Sequence, residues 1–244
     1  MAELFEPGTR AAVFGASGGI GAAFAAALAA DPSVETVHAF SRSPVPSAGK
    51  VIGLSCDPLN EDDLAQAAAT LREAGAPSVV LSAIGTLHGE GYAPEKAFRQ
   101  LKQEAFEEVM RVNALAPAMV AKHMAPLLPK DRPARMGLLS ARVGSISDNR
   151  LGGWHSYRAA KAALNMLIRG LSIELRRSHE RALVVALHPG TVDTALSEPF
   201  QKGVPEGKLF TPDYSATSML GVLSRLTPED SGNVYDYAGE RVPA

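Results

Sequence analysis

Gly15-Ala16-Ser17-Gly18-Gly19-Ile20-Gly21 is the stretch whose surroundings decide the fold. An apolar run, Arg10 to Gly15, enters it, and the alanine-rich run Ala22 to Ala30 leaves it, so a strand-like segment turns directly into a helix-like one. Glycines at such a junction let the backbone bend sharply and approach a pyrophosphate, whose charge is met by the free amides and dipole of the helix start. The spacing is G-x-x-x-G-x-G rather than G-x-G-x-x-G, and it is weak evidence alone. Gly85-Thr86-Leu87-His88-Gly89-Glu90-Gly91 repeats it after another apolar run but leads into Tyr92-Ala93-Pro94, with no helix behind it. The first copy is therefore expected to bind a dinucleotide, and the second to be a loop beside it.

Outward from this junction, short apolar runs alternate with longer segments of helical period, the pattern of βαβ units. Strands are expected at Arg10 to Gly15, Val34 to Phe40, Lys50 to Ser55, Ser78 to Ile84, Met136 to Ser140 and Leu183 to Leu187, with a weaker one at Asn233 to Tyr237. Helices are expected at Gly19 to Ala30, Glu61 to Ala74, Glu104 to Leu128, Ser156 to Ser178 and Pro212 to Leu226. Most strand runs are continuously hydrophobic, as strands covered on both faces must be. The fold class expected is α/β: a doubly wound, mostly parallel sheet in a Rossmann-like three-layer sandwich, with ligand beyond the carboxyl ends of the strands. No repeat or linker divides residues 1–244, so a single domain is expected. Leu196 to Pro212 is its long irregular segment, read as a loop over the substrate.

Bulk properties exclude more than they identify. The 244 residues are 46% apolar and 20% charged, rich enough in core formers to fold, and large enough for a deep site. Lys and Arg number 24 against 26 Asp and Glu, a net charge of −2 without a basic stripe, so no nucleic-acid partner is expected. A single cysteine, Cys56, precludes an internal disulfide and fits a reducing compartment. The acidic start lacks a secretion signal and no run is long enough to span a bilayer, so a cytoplasmic protein without membrane partner is expected.

Phe40-Ser41-Arg42-Ser43 ends the second strand. An acidic residue there would grip a ribose 2′-hydroxyl, whereas an arginine accommodates a 2′-phosphate, so Ser41 and Arg42 favour NADP, with NAD left open. Arg42 as an ordinary solvated arginine is the alternative. Asp57 is placed either to meet the adenine or to cap the turn ahead of Pro58.

Tyr157-Arg158-Ala159-Ala160-Lys161 stacks a phenol and an ammonium at i and i+4 on one helical face. A cation beside a phenol favours phenolate, lowering a pKa that is otherwise about 10. Such a tyrosine can protonate an alkoxide as hydride reaches a carbonyl carbon, or take a hydroxyl proton in reverse. The pair alone is common on helices; with a glycine turn far upstream and a strand ending at Ser140, chance becomes a poor explanation.

Together Gly15-x-x-x-Gly19-x-Gly21, Asp57, Asn113, Tyr157-x-x-x-Lys161 and Pro189-Gly190-Thr191-Val192-Asp193-Thr194 resemble the short-chain dehydrogenase/reductases of the short form, over essentially the whole chain. The runs Leu139 to Ile146 and Tyr157 to Asn165 are most similar to the branch containing C-factor and the carbonyl reductase sniffer. The resemblance implies that Tyr157 is the general acid/base, and that Lys161 lowers its pKa and binds the nicotinamide ribose. It implies that Asn113 holds a helix kink and a relay water, while Pro189, Gly190, Val192 and Thr194 cover the nicotinamide. Gly15, Ser17, Gly18, Gly19, Ile20, Gly21, Ser41, Arg42, Asp57, Ala83 and Gly85 complete the expected cofactor site. A homodimer or homotetramer, associating through the long fourth and fifth helices, is also implied.

Two departures stand out. Ser82-Ala83-Ile84-Gly85 replaces the family's Asn-Asn-Ala-Gly, removing amides that brace the sheet. The family's Ser-Ser pair reads Ser140-Ala141. Strand side chains alternate faces, so if position 141 points into the site Ser140 points away. Ser145, twelve residues before Tyr157, is then the better candidate to polarise a carbonyl, with Ser140 as the alternative if the strand ends early. The six histidines lack ligand spacing, so no metal is expected. Trp154 and Met166 are read as packing, and His88 and His155 as a loop residue and a helix-start residue. An NADPH-dependent oxidoreductase acting on a carbonyl or secondary alcohol is expected, with a non-catalytic dinucleotide-binding signalling protein as the alternative.

Overall fold

A computed structural model describes residues 3–244. Strand β1 (Thr9–Phe14) ends at Gly15, whose φ of +82° turns the chain toward helix α1 (Gly19–Ala30). Strands β2 (Val34–Ser41) and β3 (Val51–Ser55) follow, then α2 (Glu61–Ala74). Asn60 caps α2 by accepting from the Asp62 amide at 3.0 Å, and Glu61, Asp62 and Asp63 lie in its first turn as expected. Next come β4 (Val79–Ser82), α3 (Gln103–Met110), α4 (Ala116–Met124), β5 (Ala134–Leu139), α5 (His155–Leu175) and β6 (Ala182–His188). After them come β7 (Thr191–Val192), β8 (Leu209–Phe210), α6 (Pro212–Arg225), β9 (Val234–Asp236) and β10 (Arg241–Val242).

Eight strands form one sheet in the order β10-β9-β6-β5-β4-β1-β2-β3, parallel throughout except for β10. Side-chain alternation divides the core. Met136 and Leu138 of β5 join the layer of Leu64, Val120, Met124, Leu164 and Ile168. Leu139 joins the layer of Phe24, Leu28, Met219 and Leu223. Helices α2, α4 and α5 thus cover one face, and α1 and α6 the other. Strand order reverses at β1, which pairs with β2 on one side and β4 on the other, opening a crevice at their carboxyl ends.

Four sequence expectations need correction. Glu104 to Leu128 is not one helix: a π-helical turn, Arg111–Leu115, separates α3 from α4, and a 3₁₀ turn, Ala125–Leu127, follows. Pro117 has no amide to give the Asn113 carbonyl, so the regular ladder fails there, and the Ala116 amide bonds back to Arg111 instead. The segment Leu196 to Pro212 is not wholly irregular, because a 3₁₀ helix (Glu198–Gly203) and β8, paired with β7, lie within it. Strand ends also move: β4 stops at Ser82 rather than Ile84, and β5 at Leu139 rather than Ser140. Met166 is 71% exposed and not core, since it lies on the outer side of α5 while Leu164 and Ile168 turn inward.

Candidate active site

The first glycine turn fits close-packed backbone. A Cβ at Gly21 would stand 2.1 Å from the Gly15 carbonyl oxygen, one at Gly15 would stand 3.0 Å from that of Ala83, and one at Gly19 2.8 Å from the Thr194 methyl. The turn is pinned to β2 by the Gly15 and Ala16 amides, which donate to the Phe40 carbonyl at 2.9 and 3.1 Å. No side chain caps α1 at Gly18, leaving its first amides aimed at the crevice. The second glycine copy is a tight turn, with Gly89 and Tyr92 exchanging backbone bonds, and it leads into no helix.

A cleft of about 190 Å³ gathers half of the expected cofactor residues: Gly15, Ser17, Gly18, Ser41, Arg42, Asp57, Ala83 and Gly85, from the ends of β1, β2, β3 and β4. Gly19, Ile20 and Gly21 form the adjoining first turn of α1. At the end of β2, the Ser41 hydroxyl donates to Ser17 Oγ at 2.6 Å, and Arg42 stands exposed beside it. Asp57 Oδ1 accepts from the Leu59 amide at 3.0 Å, so it caps the turn at Pro58 while lining the cleft. Burial pushes the Cys56 thiol in the wall up to about 12, with Asp63 and Asp57 adding to the effect. The uncapped helix start, the Cβ-free turn and the serine–arginine rim fit a nicotinamide dinucleotide.

The far end of the crevice is built on α5. Lys161 is buried and donates from Nζ to the Leu139 carbonyl at 2.9 Å, with Nζ 5.6 Å from the centre of the Tyr157 ring. A Cβ at Gly85 would lie 3.1 Å from Asn113 Oδ1 and 3.6 Å from Lys161 Nζ, so these residues converge where β4 ends. Asn113, wholly buried in the π turn, accepts from the Thr86 amide and donates to the Thr86 and Val109 carbonyls. It thereby braces the loop that lacks the family's asparagines. Burial pushes the Tyr157 phenol above its ordinary range and the Lys161 ammonium down to about 7. For the phenol this runs opposite to the direction expected from the neighbouring amine, because removal from water disfavours the charged form of each.

The two serines are held differently. Ser140 donates to Asn165 Oδ1 at 2.7 Å. Ser145 accepts from the Asp148 amide at 3.1 Å and donates to the Ala244 carbonyl at 3.4 Å. Among the described residues neither hydroxyl bonds Tyr157. Thr194 packs on Gly19, and Pro189 accepts from the Ser215 hydroxyl at 2.8 Å. Gly190 adopts a φ of +76° beneath the Phe210 ring, and Val192 is buried with its carbonyl bonded by Ser197.

Sequence reasoning passed over two residues. Phe200, in the 3₁₀ helix Glu198–Gly203, lies 5.3 Å from the Trp154 ring and 5.9 Å from His88, closing an aromatic wall beside Tyr157. Glu95 is buried and bonds Ser156 at the start of α5. Neither carries a local motif. The described residues contain no group of three His, Cys, Asp or Glu side chains close enough to hold a metal ion. None of their helices is long and apolar enough to cross a membrane.

Fold and glycine turn together define a dinucleotide-binding α/β domain of the dehydrogenase type. The family model for short chain dehydrogenases matches residues 9–204, and the chain belongs to that family of NAD(P)-dependent oxidoreductases. It is 41% identical over 132 residues to the C-signal protein of Myxococcus xanthus, spanning 54% of this chain and 74% of that protein. It is 32% identical over 193 residues to the 1-hydroxy-2-glutathionyl-2-methyl-3-butene dehydrogenase of Rhodococcus sp. (strain AD45), spanning 79% and 80%. Among solved structures, NADPH-bound carbonyl reductase from chicken fatty liver superposes with a TM-score of 0.84 at 25% identity over 98% of this chain and 96% of that one. The carbonyl reductase Sniffer of D. melanogaster gives 0.83 at 20% identity over 98% and 100%, a likeness of fold.

Proposed function

We propose that the protein is an NADPH-dependent reductase of an aldehyde or ketone, running in reverse as a secondary-alcohol dehydrogenase. The observation that carries this is Tyr157 and Lys161 on one face of α5, with Lys161 Nζ fixed to the Leu139 carbonyl beside Gly85 at the end of the glycine cleft. A pure binding protein has no need of that pair.

Hydride exchange with a carbonyl carbon is the chemistry a bound nicotinamide dinucleotide supplies. Gly15, Ser17, Gly18, Gly19, Ile20, Gly21, Ala83 and Gly85 would hold its diphosphate and inner face, with Asp57 toward the adenine. Ser41 and Arg42 would meet a 2′-phosphate, and Pro189, Gly190, Val192 and Thr194 the nicotinamide end. Tyr157 gives its hydroxyl proton to the substrate oxygen. Lys161 in its charged form would favour the phenolate that remains and would bond the nicotinamide ribose. Asn113, by holding the π turn open, carries the water that returns the proton. Ser145 polarises the substrate oxygen. Its donation at 3.4 Å is longer and more easily released than the 2.7 Å bond that occupies Ser140.

Association as a homodimer or homotetramer through α5, the fourth of the expected helices, is part of the same proposal. It is supported by exposed Leu115, Met166, Leu167 and Ile173 on that side of the molecule, and the solution mass by light scattering tests it. The functional proposal is tested by titrating NADPH and NADH against intrinsic fluorescence, then following nicotinamide absorbance with a panel of aldehydes and ketones. Turnover with NADPH is expected; binding without any turnover favours the signalling alternative.

A further inference from the structure

Helix α5 carries the proposed acid/base group in its first turn, yet its own sequence supplies no cap. Trp154 stands at the N-cap, where Ser, Thr, Asp or Asn ordinarily accepts from the first amides, and an indole has no acceptor to offer. The cap comes instead from Glu95, 61 residues away. Its carboxylate accepts from the Ser156 amide at 3.2 Å and from the Ser156 hydroxyl, and it lies 6% exposed against the positive end of the helix dipole.

Glu95 also fixes the approach to the helix. Its backbone carbonyl accepts from the Trp154 amide, and Trp154 is held at φ 52°, ψ 40°, the one non-glycine residue with positive φ among the described residues. Gly152 and Gly153 precede it with φ of +65° and +66°, so three successive residues are left-handed. Arg158 secures the same turn from inside the helix, donating to the Gly153, Gly152 and Val143 carbonyls at 2.9, 3.2 and 3.2 Å. A bulky residue adopts such backbone only where its surroundings impose it. The result sets the indole edge-on to the Tyr157 ring at 6.3 Å, with Phe200 on the indole's other contact at 5.3 Å.

We propose that Glu95 is a positioning residue for Tyr157, capping the first turn of α5 and clamping Trp154 so that the phenol is presented to the substrate. The assignment rests on Tyr157 being the acid/base group. It separates two residues of one helix: Tyr157 lies in the turn that Glu95 holds, whereas Lys161 lies a turn further on and has its own anchor in the Leu139 carbonyl. Loss of Glu95 therefore frays the phenol's turn and leaves the ammonium's in place.

The chain contains a single tryptophan, so intrinsic fluorescence reports Trp154 alone. Wild type, Glu95→Ala, Glu95→Gln and Ser156→Ala are compared in acrylamide quenching of that emission and in steady-state kinetics with NADPH and 4-nitrobenzaldehyde as the carbonyl probe. In Glu95→Ala, Trp154 becomes more quenchable and kcat falls about tenfold to a hundredfold while KM for NADPH stays within about twofold. Glu95→Gln, which still accepts from the Ser156 amide, recovers kcat to within about threefold of wild type. Ser156→Ala, which keeps the amide bond, shows a smaller loss of the same kind and carries the test if Glu95→Ala does not fold. Wild-type kcat in Glu95→Ala, or a parallel loss of NADPH affinity and kcat in Glu95→Gln and Ser156→Ala, overturns the proposal. Wild-type protein inert toward the probe and the wider carbonyl panel overturns the catalytic proposal itself, whatever Trp154 reports.

Discussion

Asn113 and Thr86 hold each other in both directions: Asn113 Nδ2 donates to the Thr86 carbonyl at 2.8 Å, and Oδ1 accepts from the Thr86 amide at 3.1 Å. With a further bond to the Val109 carbonyl, one fully buried side chain joins the π turn to the loop beyond β4. Asn113→Ala leaves both Thr86 groups without partners, and a loss of about 3 kcal/mol is expected from such unsatisfied buried groups. Urea unfolding checks this; an unchanged midpoint would show that the loop is braced by other means.

Gly21 and Gly18 offer a paired test of the glycine turn. A Cβ at Gly21 meets the Gly15 oxygen at 2.1 Å, whereas one at Gly18 reaches it only at 3.5 Å. Gly21→Ala is expected to cost about 1–3 kcal/mol or more, since backbone must move, and Gly18→Ala less than about 1 kcal/mol. Equal thermal midpoints for the two variants would contradict the packing described.

Arg42 stands exposed at the cleft rim, next to the bonded pair Ser41 and Ser17. Arg42→Ala is expected to raise KM for NADPH about tenfold and leave that for NADH unchanged, as loss of one charge-assisted contact to a 2′-phosphate requires. Equal effects on both coenzymes would make Arg42 an ordinary surface arginine.

Much of this was legible because local chemistry and tertiary packing agree. The bounds of α1 and α2 follow from the glycine turn and from Asn60 with its acidic first turn. What escaped depends on contacts between distant segments. The kink at Asn113 was expected, but its form was not: a π turn in which the Ala116 amide bonds Arg111 while the Asn113 side chain reaches Thr86, 27 residues away. Glu95 caps a helix 61 residues away, and Phe200 meets Trp154 only once the substrate loop folds over. Spacing likewise reveals the amine near Tyr157 but not the burial that acts on both groups.

Lys161 gives stability a definite pH slope. Its folded value of about 7 lies below the ordinary 10.5, so between these values the unfolded chain holds one more proton than the folded chain at this site. Stability from this group therefore rises with pH across that window, and its penalty is full below it. Unfolding midpoints of wild type and Lys161→Met at pH 6.5 and 9.5 isolate the contribution. The wild-type midpoint should gain more on going from the lower to the higher pH, and identical gains would refute the shift.

Tyr157→Phe tests the catalytic account most directly, because it removes one hydroxyl and keeps the ring beside Trp154 and Lys161. NADPH titrated against Trp154 fluorescence should give a dissociation constant within about twofold of wild type, while turnover of the carbonyl panel falls by about 10²–10⁴-fold, the share a general acid supplies. Turnover that survives at the wild-type rate would contradict the account.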